Sequence, residues 1–248
     1  LVKHFGGVQA VKGVSFEVHP GECVALIGPN GAGKSTTFAC IAGQHGLTHG
    51  EVRWAGQRID RLTPARRQKL GVARTFQVAQ TFEALTVLQN LQLLKTAPRG
   101  LKAWNVLDRC AVEAAREGLE QVGLQDLAQA DARDLPYGAK KRLELAMALA
   151  GLPDTGARLL LLDEPAAGLA APERAQLMAQ VTALARSGVA VLYTEHNMDA
   201  VFGVADRVLV LIDGQLAAAG TPQEVARDAT VRSRYLGRSF EAQDIPHA

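Results

Sequence analysis

Residues 28–35, GPNGAGKS, form a glycine-rich stretch of the pattern G-x-x-x-x-G-K-[ST]. An apolar run, ECVALIG (22–28), leads into it, and STTFACIAG (35–43) leaves it with helical character and a terminal glycine. Strand, tight loop and helix in that order leave few architectures open. Gly28, Gly31 and Gly33 let the backbone curl so that successive N–H groups face one anion. A helix beginning near Gly33 adds the positive end of its dipole. Lys34 is expected to reach β- and γ-phosphates, Ser35 to offer a hydroxyl to Mg²⁺, and Thr36 to face the α-phosphate region. Pro29, Asn30 and Ala32 complete the run assigned to the nucleotide. The feature predicts an α/β protein that binds a nucleoside triphosphate with its metal.

The rest of the chain fits an α/β core interrupted by a helical lobe. VKGVSFEV (11–18) alternates apolar and polar like a half-exposed strand, and GEVRWAGQRI (50–59) resembles a hairpin with Ala-Gly at its tip. GVARTFQ (71–77) is a further short strand. From about residue 80 to 150 the apolar spacing turns helical, in LTVLQNLQLL, LDRCAVEAAREGLEQVG and KKRLELAMALAG. After Pro153 strands and helices alternate again. ARLLLLDEP is a buried strand, PERAQLMAQVTALARSG an amphipathic helix with Pro at its start and Gly at its end, and VAVLYTEH a strand. RVLVLIDGQLAAAG is a hairpin turning on Asp213-Gly214, and Thr221 with Glu224 forms a capping box that opens a last helix. Residues from about Glu241 onward are expected to be a loose tail.

Composition removes other classes. The 248 residues are 48% hydrophobic and carry a formal net charge of +2, too small a surplus to point to nucleic acid. Cys23, Cys40 and Cys110 are far apart with no metal spacing, so reduced, buried thiols in a cytosolic protein are expected. No run of about 18 apolar residues and no leader pattern is present, so the chain is not expected to cross a membrane itself. It opens at Leu1 rather than Met, and the first strand is expected to be clipped.

Three further elements carry chemistry. Asp163 and Glu164, in LLLLDEP, fall at the carboxyl end of a buried strand, where open α/β sheets bind ligands. Asp163 is assigned to Mg²⁺ through water, and Glu164 to polarising an attacking water. Gln77 closes ARTFQ just before the helical lobe, where an amide can touch that water or the metal. His196 closes VLYTEH at another strand end, within reach of a γ-phosphate. In LPYGAKKRLELA (135–146), Gly138 is expected to precede a helix beginning near Ala139, with Leu143, Met147 and Ala150 as its apolar stripe. Lys140, Lys141 and Arg142 crowd a first turn that ordinarily prefers acids. Either they form a basic solvated face or they await an anion, such as ATP held by a second subunit.

The phosphate loop, Gln77, the 135–142 segment, LLLLDEP and His196, in that order, resemble the nucleotide-binding subunit of ABC transporters over essentially the whole chain. The resemblance implies a P-loop NTPase core with an antiparallel β subdomain and an inserted helical subdomain. The expected division is 1–78 and 154–220 for the core, 79–153 for the helical part, and 221–248 for C-terminal helices and tail. It also implies a head-to-tail dimer, each ATP lying between one subunit's phosphate loop and the other's signature segment, here Tyr137 and Gly138. Phe5 falls where that family stacks an aromatic ring on adenine, and residues 166–173 where its dimer-crossing loop lies. GPNGAGKST, ARTFQ, LPYGxxKRLELA, EPAAGL and KHFGGVQAV are similar to the branched-chain amino acid importer ATPases. That group relaxes the signature to L-x-Y-G-Q, which accounts for Tyr137, while Ala139 departs from the group's Gln and Ala170 from its Asn or Asp.

The resemblance implies catalysis by Glu164, His196, Gln77 and Lys34, and Mg²⁺ at Ser35, Gln77 and Asp163. It implies membrane permeases and an external solute-binding protein as partners, with the chain on the cytoplasmic face. Import of urea, amides or another small solute, a soluble non-transport ABC ATPase, an ATP-binding regulator without turnover, and a P-loop kinase or GTPase, which would leave Gln77, the 135–142 segment and His196 unexplained, are the rival readings.

Overall fold

Strands apolar on both faces make a sheet that must be covered on both sides, and this chain supplies four such runs. In the computed structural model, residues 1–75, 80–96 and 111–237 are described. They begin with β1 (Val2–Phe5), β2 (Val8–Lys12), β3 (Cys23–Ile27) and α1 (Lys34–Ala42). Next come β4 (Arg53–Trp54), β5 (Gln57–Arg58), α2 (Pro64–Lys69) and β6 (Val72–Arg74). The helices α3 (Val87–Thr96), α4 (Val112–Gln121) and α5 (Tyr137–Ala150) follow. The chain then runs through β7 (Leu159–Asp163), α6 (Ala171–Arg186), β8 (Ala190–Thr194) and α7 (Met198–Phe202). Then come β9 (Arg207–Ile212), β10 (Gln215–Gly220), α8 (Pro222–Arg227) and a short α9 (Ala229–Val231) that runs into a π-helical turn (Arg232–Leu236).

The central sheet has the order β10-β9-β3-β8-β7-β6, parallel except for β10. All five residues of β3 are buried. Val24 and Leu26 pack with Phe38 and Ile41 of α1, whereas Cys23, Ala25 and Ile27 join Leu160, Leu162 and Tyr193 on the other face. The two-residue period of a strand thus serves two separate cores. Leu91, Leu119 and Leu143, from α3, α4 and α5, are fully buried in the second of them. Asn90 ties α3 to the segment before it: its side chain accepts from Phe82 N–H (2.8 Å) and donates to the carbonyls of Phe82 (3.1 Å) and Thr86 (2.9 Å).

The antiparallel part consists of β1–β2, β4–β5 and the β9–β10 edge. Ala55 and Gly56, both left-handed at φ 48° and 79°, turn β4 into β5 as the Ala-Gly pair predicts. Asp213 and Gly214 do the same between β9 and β10. Thr221 and Glu224 exchange reciprocal capping bonds at the start of α8.

Two expectations are corrected. Residues 11–18 are not one strand: β2 ends at Lys12, and 14–18 keep the alternation of burial without strand pairing. A mutual backbone pair between Val14 and Leu1 holds this stretch instead. The helix expected from near Ala139 begins at Tyr137, so Gly138 lies inside its first turn. Cys23 and Cys40 are free and buried, and burial pushes the Cys23 thiol up to about 12. Cys110, Gln77 and the expected tail from Glu241 lie outside the described residues. Among the described residues, no helix is long and apolar enough to cross a membrane.

Candidate active site

Parallel pairing brings the ends of β3, β8 and β7 side by side, and each end carries part of the site. The phosphate loop follows β3. Gly28 and Gly33 are required there for steric reasons: a Cβ at Gly28 would come 2.0 Å from the Leu211 carbonyl oxygen, and one at Gly33 2.5 Å from that of Ala10. Both are left-handed, at φ 145° and 97°. Gly33 occupies the N-cap of α1 with no side-chain cap, and no acid sits in the first turn. Among the described residues no side chain caps that N-terminus, and no acid in the first turn offsets its dipole. Asn30, Gly31 and Ser35 are exposed, Pro29, Gly33 and Thr36 half-buried, and Gly28 and Ala32 buried.

Lys34 is 8% exposed, and its ammonium donates to the carbonyls of Gly28 (2.6 Å) and Pro29 (3.1 Å). Burial lowers its pKa, while Glu164 and Asp163 oppose that shift. The lysine and the acid pair therefore occupy one electrostatic site. At the far end of α1, the fully buried Arg67 donates to the carbonyls of Cys40 (2.7 Å) and Ile41 (2.6 Å). A cation at a helix C-terminus holds the free carbonyls and so anchors the helix that carries the loop.

Asp163 ends β7 with both oxygens engaged. Thr194 Oγ1 donates to Oδ1 at 2.8 Å, and Arg74 Nη2 donates to Oδ2 at 2.7 Å. The same Thr194 oxygen accepts the Glu164 N–H at 3.0 Å. Glu164 takes a left-handed φ of 48°, uncommon for a non-glycine residue and typical of active sites. Its Oε1 lies 2.9 Å from His196 Nε2. Asn197 caps α7 by accepting from Ala200 N–H at 2.9 Å, which ends the extended run and leaves His196 in the turn.

Glu195 lies directly between these groups. At 3% exposure, its carboxylate accepts Ala166 N–H at 2.8 Å and His196 N–H at 3.2 Å, tying the loop after β7 to the turn after β8. Burial raises its pKa; those N–H bonds pull it back, and Glu164 adds to the rise. Burial raises the pKa of Tyr235, and the neighbouring Gly28 backbone opposes the rise.

At the start of α5 the structure contradicts the reading of the three cations as a solvated basic face. Lys141 is only 3% exposed and sits 3.9 Å from Glu144, its ammonium 5.9 Å from the Tyr137 ring centre. Burial lowers its pKa, opposed by Glu144, Glu195, Glu164 and Asp163. Arg142 donates to the carbonyls of Val122 (3.3 Å) and Gly123 (2.9 Å) at the end of α4, and Lys140 pairs with Glu83 at 3.6 Å. The cations serve the chain's own packing and do not form a free basic face. Leu143, Met147 and Ala150 are buried, as the stripe predicts. Tyr137 is 43% exposed and packs on Gly168, and a Cβ at Gly138 would meet the Glu173 carboxylate at 2.5 Å. Pro136 provides no side-chain cap, and α5 has no acid in its first turn.

Phe5 is 44% exposed at the end of β1, with the Lys3 ammonium 4.7 Å from its ring centre and His45 edge-on at 5.2 Å. Sequence reasoning missed Arg74, Thr194, Glu195 and Tyr235, and it took Lys141 for one of three outward cations. Glu195 and Thr194 stood in plain view inside YTEH, but only sheet pairing reveals what they face.

The residues fit a nucleotide: two glycines whose Cβ positions are filled by backbone oxygens and a helix start without a cap form an anion cradle. They also fit Mg²⁺ held jointly with phosphates. Asp163 and Ser35 are hard oxygen donors, and no group of three or more His, Cys, Asp or Glu among the described residues forms a cage of its own.

Comparison with known proteins agrees. The ABC transporter family model matches residues 11–167. The chain is 37% identical over 96% of its length to the high-affinity branched-chain amino acid transport ATP-binding protein LivG of Escherichia coli (strain K12), covering 96% of that protein. The same identity and coverages hold for BraF of Pseudomonas aeruginosa, which bears the same description. It is also 37% identical over 98% of its length to the ribose import ATP-binding protein RbsA 1 of Rubrobacter xylanophilus, of which it spans 47%. The crystal structure of the ADP conformation of an ATP-binding cassette of an ABC transporter superposes with a TM-score of 0.82 at 32% identity, covering 96% of each chain. A dimeric post-hydrolysis cassette bound to ADP and Pi gives 0.73 at 25% identity, covering 89% of this chain and 95% of that one. The chain belongs to the ABC transporter family, as one of its nucleotide-binding ATPase cassettes.

Proposed function

We propose that this chain is the ATP-hydrolysing subunit of an importer for branched-chain amino acids, working on the cytoplasmic face of a membrane through separate permeases. The observation that carries hydrolysis is the Glu164–His196 contact at 2.9 Å, formed beside the Lys34 loop. The solute follows from the likeness to LivG and BraF over 96% of the chain.

In this reading the loop from Gly28 to Thr36 holds the phosphates by its N–H groups. Lys34 leaves the carbonyls of its own loop for the β- and γ-phosphates, and Phe5 stacks on the adenine. Ser35, Asp163 and Gln77 hold Mg²⁺, which when bound neutralises phosphate charge. Glu164 accepts a proton as water attacks the γ-phosphorus. A new P–O bond forms, the bond to the β-phosphate oxygen breaks, and ADP and inorganic phosphate result. His196 and Gln77 orient the γ-phosphate and the water. Glu164 can be held in a strained conformation because Thr194 fixes its N–H. Tyr137 and Gly138 of a second cassette subunit, identical or related, complete the site through the uncapped N-terminus of α5. Closure of two subunits on ATP pulls the helical parts together and drives the permeases, and an external binding protein delivers the solute.

The test is phosphate release from Mg-ATP by the native and Glu164→Gln proteins, together with uptake of leucine in vesicles containing the neighbouring permeases. A loss of 10²-fold or more, about the scale of a missing general base, is expected. Equally slow release by both proteins overturns hydrolysis. Brisk hydrolysis stimulated by another solute overturns only the choice of cargo.

A further inference from the structure

We infer that Arg74 is a cationic brake on the metal site, which makes Mg²⁺ binding depend on nucleotide. The inference rests on the reading of Asp163 as a metal ligand.

The arginine is positioned by the sheet itself. It is the last residue of β6, paired in register with Leu161 of β7, two residues before Asp163. Its Nη2 lies 2.7 Å from Asp163 Oδ2, with side-chain exposures of only 12% and 13%. Its Nη1 donates to Gln44 Oε1, and its guanidinium sits 6.0 Å from the Phe38 ring centre. The Asp163 carboxylate, the Gln44 amide and the Phe38 ring are among the contacts that hold the group over α1.

A guanidinium remains charged throughout the accessible pH range. A divalent cation arriving at Asp163 alone must share the carboxylate with a full positive charge at hydrogen-bond distance, in a site largely withdrawn from water. Like-charge repulsion there weakens its hold. The phosphates of a nucleotide in the adjacent loop reverse the balance by adding negative charge. The arginine keeps its neutral supports on Gln44 and Phe38 when Asp163 turns to the metal. The same design gives Asp163 a resting counter-ion that is part of the fold.

The experiment uses Mn²⁺ as probe, its free signal followed by paramagnetic resonance, with and without a fluorescent ATP analogue. For Arg74→Gln the Mn²⁺ concentration giving half-saturation of the nucleotide-free protein should fall about tenfold, and the Mn²⁺ needed to promote analogue binding should fall with it. Arg74→Lys, which keeps the charge, should stay near native. Arg74→Met keeps the apolar stem over Phe38 and serves as the neutral variant if the glutamine protein does not fold. Unchanged or weaker Mn²⁺ affinity in the folded neutral variant, with the metal requirement lost in Asp163→Asn, overturns the brake and leaves the metal assignment standing. If Asp163→Asn keeps the native Mn²⁺ dependence, the assignment of Asp163 fails instead.

Discussion

The starts of α1 and α5 look alike in outline. Each is a glycine-bearing helix N-terminus with no side-chain cap and no acid in its first turn. They are built on different terms. At α1 the glycines are enforced by backbone: the oxygens of Leu211 and Ala10 occupy the space a side chain needs. The local cation, Lys34, bends back over its own loop, onto the Gly28 carbonyl. At α5 the glycine faces the movable end of Glu173, and Lys140, Lys141 and Arg142 are tied to Glu83, Glu144 and the end of α4. One terminus is a finished anion cradle. The other offers only backbone N–H groups and an exposed tyrosine, and its charge is committed to the subunit's own packing. Two cationic-looking motifs therefore cannot be given one function on composition.

The comparison is broken most directly by exchanging the glycines for alanine. Gly33→Ala should cost about 2–3 kcal/mol of stability, from a forced left-handed φ and a backbone clash, and remove measurable binding of a fluorescent ATP analogue. Gly138→Ala should stay within about 1 kcal/mol, because a flexible carboxylate can yield. Urea denaturation of both variants decides the matter, and equal costs would erase the distinction.

The cations provide the next contrast. Lys141→Met leaves Glu144 buried beside a neutral side chain and should destabilise by about 3 kcal/mol, whereas Lys140→Met, whose partner Glu83 is exposed, should change stability by about 0.5 kcal/mol or less. A Lys141→Met, Glu144→Leu double change recovering most of the loss would sharpen the assignment to packing. If Lys140 proved the costlier of the two, the inward role of Lys141 would be wrong.

A gentler effect concerns Glu195, whose burial raises its pKa above the ordinary 4.5. The folded protein then binds a proton more tightly than the unfolded chain, so this group's contribution is complete below that value and is lost as pH rises through the folded pKa. Lys141, Glu164 and Tyr193 are the titratable neighbours that face it. The stability of native relative to Glu195→Gln protein should decline as pH is raised from about 4.5 toward neutrality, followed by melting temperatures across that range. A flat difference would show that the carboxyl is not strained by burial.

The smallest expected change is at the start of α6. Ala170 holds the N-cap position and has no oxygen to offer, and only the return bond from its N–H to Glu173 at 3.3 Å is made. Ala170→Asn should add about 1 kcal/mol, seen as a higher denaturation midpoint. No gain would mean that the loop before α6 cannot adopt the cap geometry.

Much of this was legible in advance because residue type and local geometry are tightly coupled at certain places. Glycine at left-handed positions, Asp-Gly and Ala-Gly in tight turns, and Thr with Glu three residues later at a helix start each have a short-range cause. Asp163, Glu164 and His196 could be singled out because each closes an apolar run, and strand ends in such sheets meet ligands. The run over 11–18 misled because alternating burial does not require a strand partner, and at Val14 the partner was the backbone of Leu1. The cations of α5 misled for a related reason. Sequence spacing shows where a side chain leaves its own helix but not what another helix has left unpaired there.

By itself the sequence determined the alternation of strands and helices after Pro153, the main sites of turning and a glycine-rich loop of phosphate-binding pattern, since each depends on steric limits acting within a few residues. Only the tertiary structure decided that Thr194 bridges Asp163 and the Glu164 amide, that Glu195 ties two loops together, and that Arg74 holds the Asp163 carboxylate. Those contacts join residues 29 to 89 positions apart. They exist because strands remote in sequence lie in adjacent places in one sheet, and the register of that pairing sets the partner of each side chain.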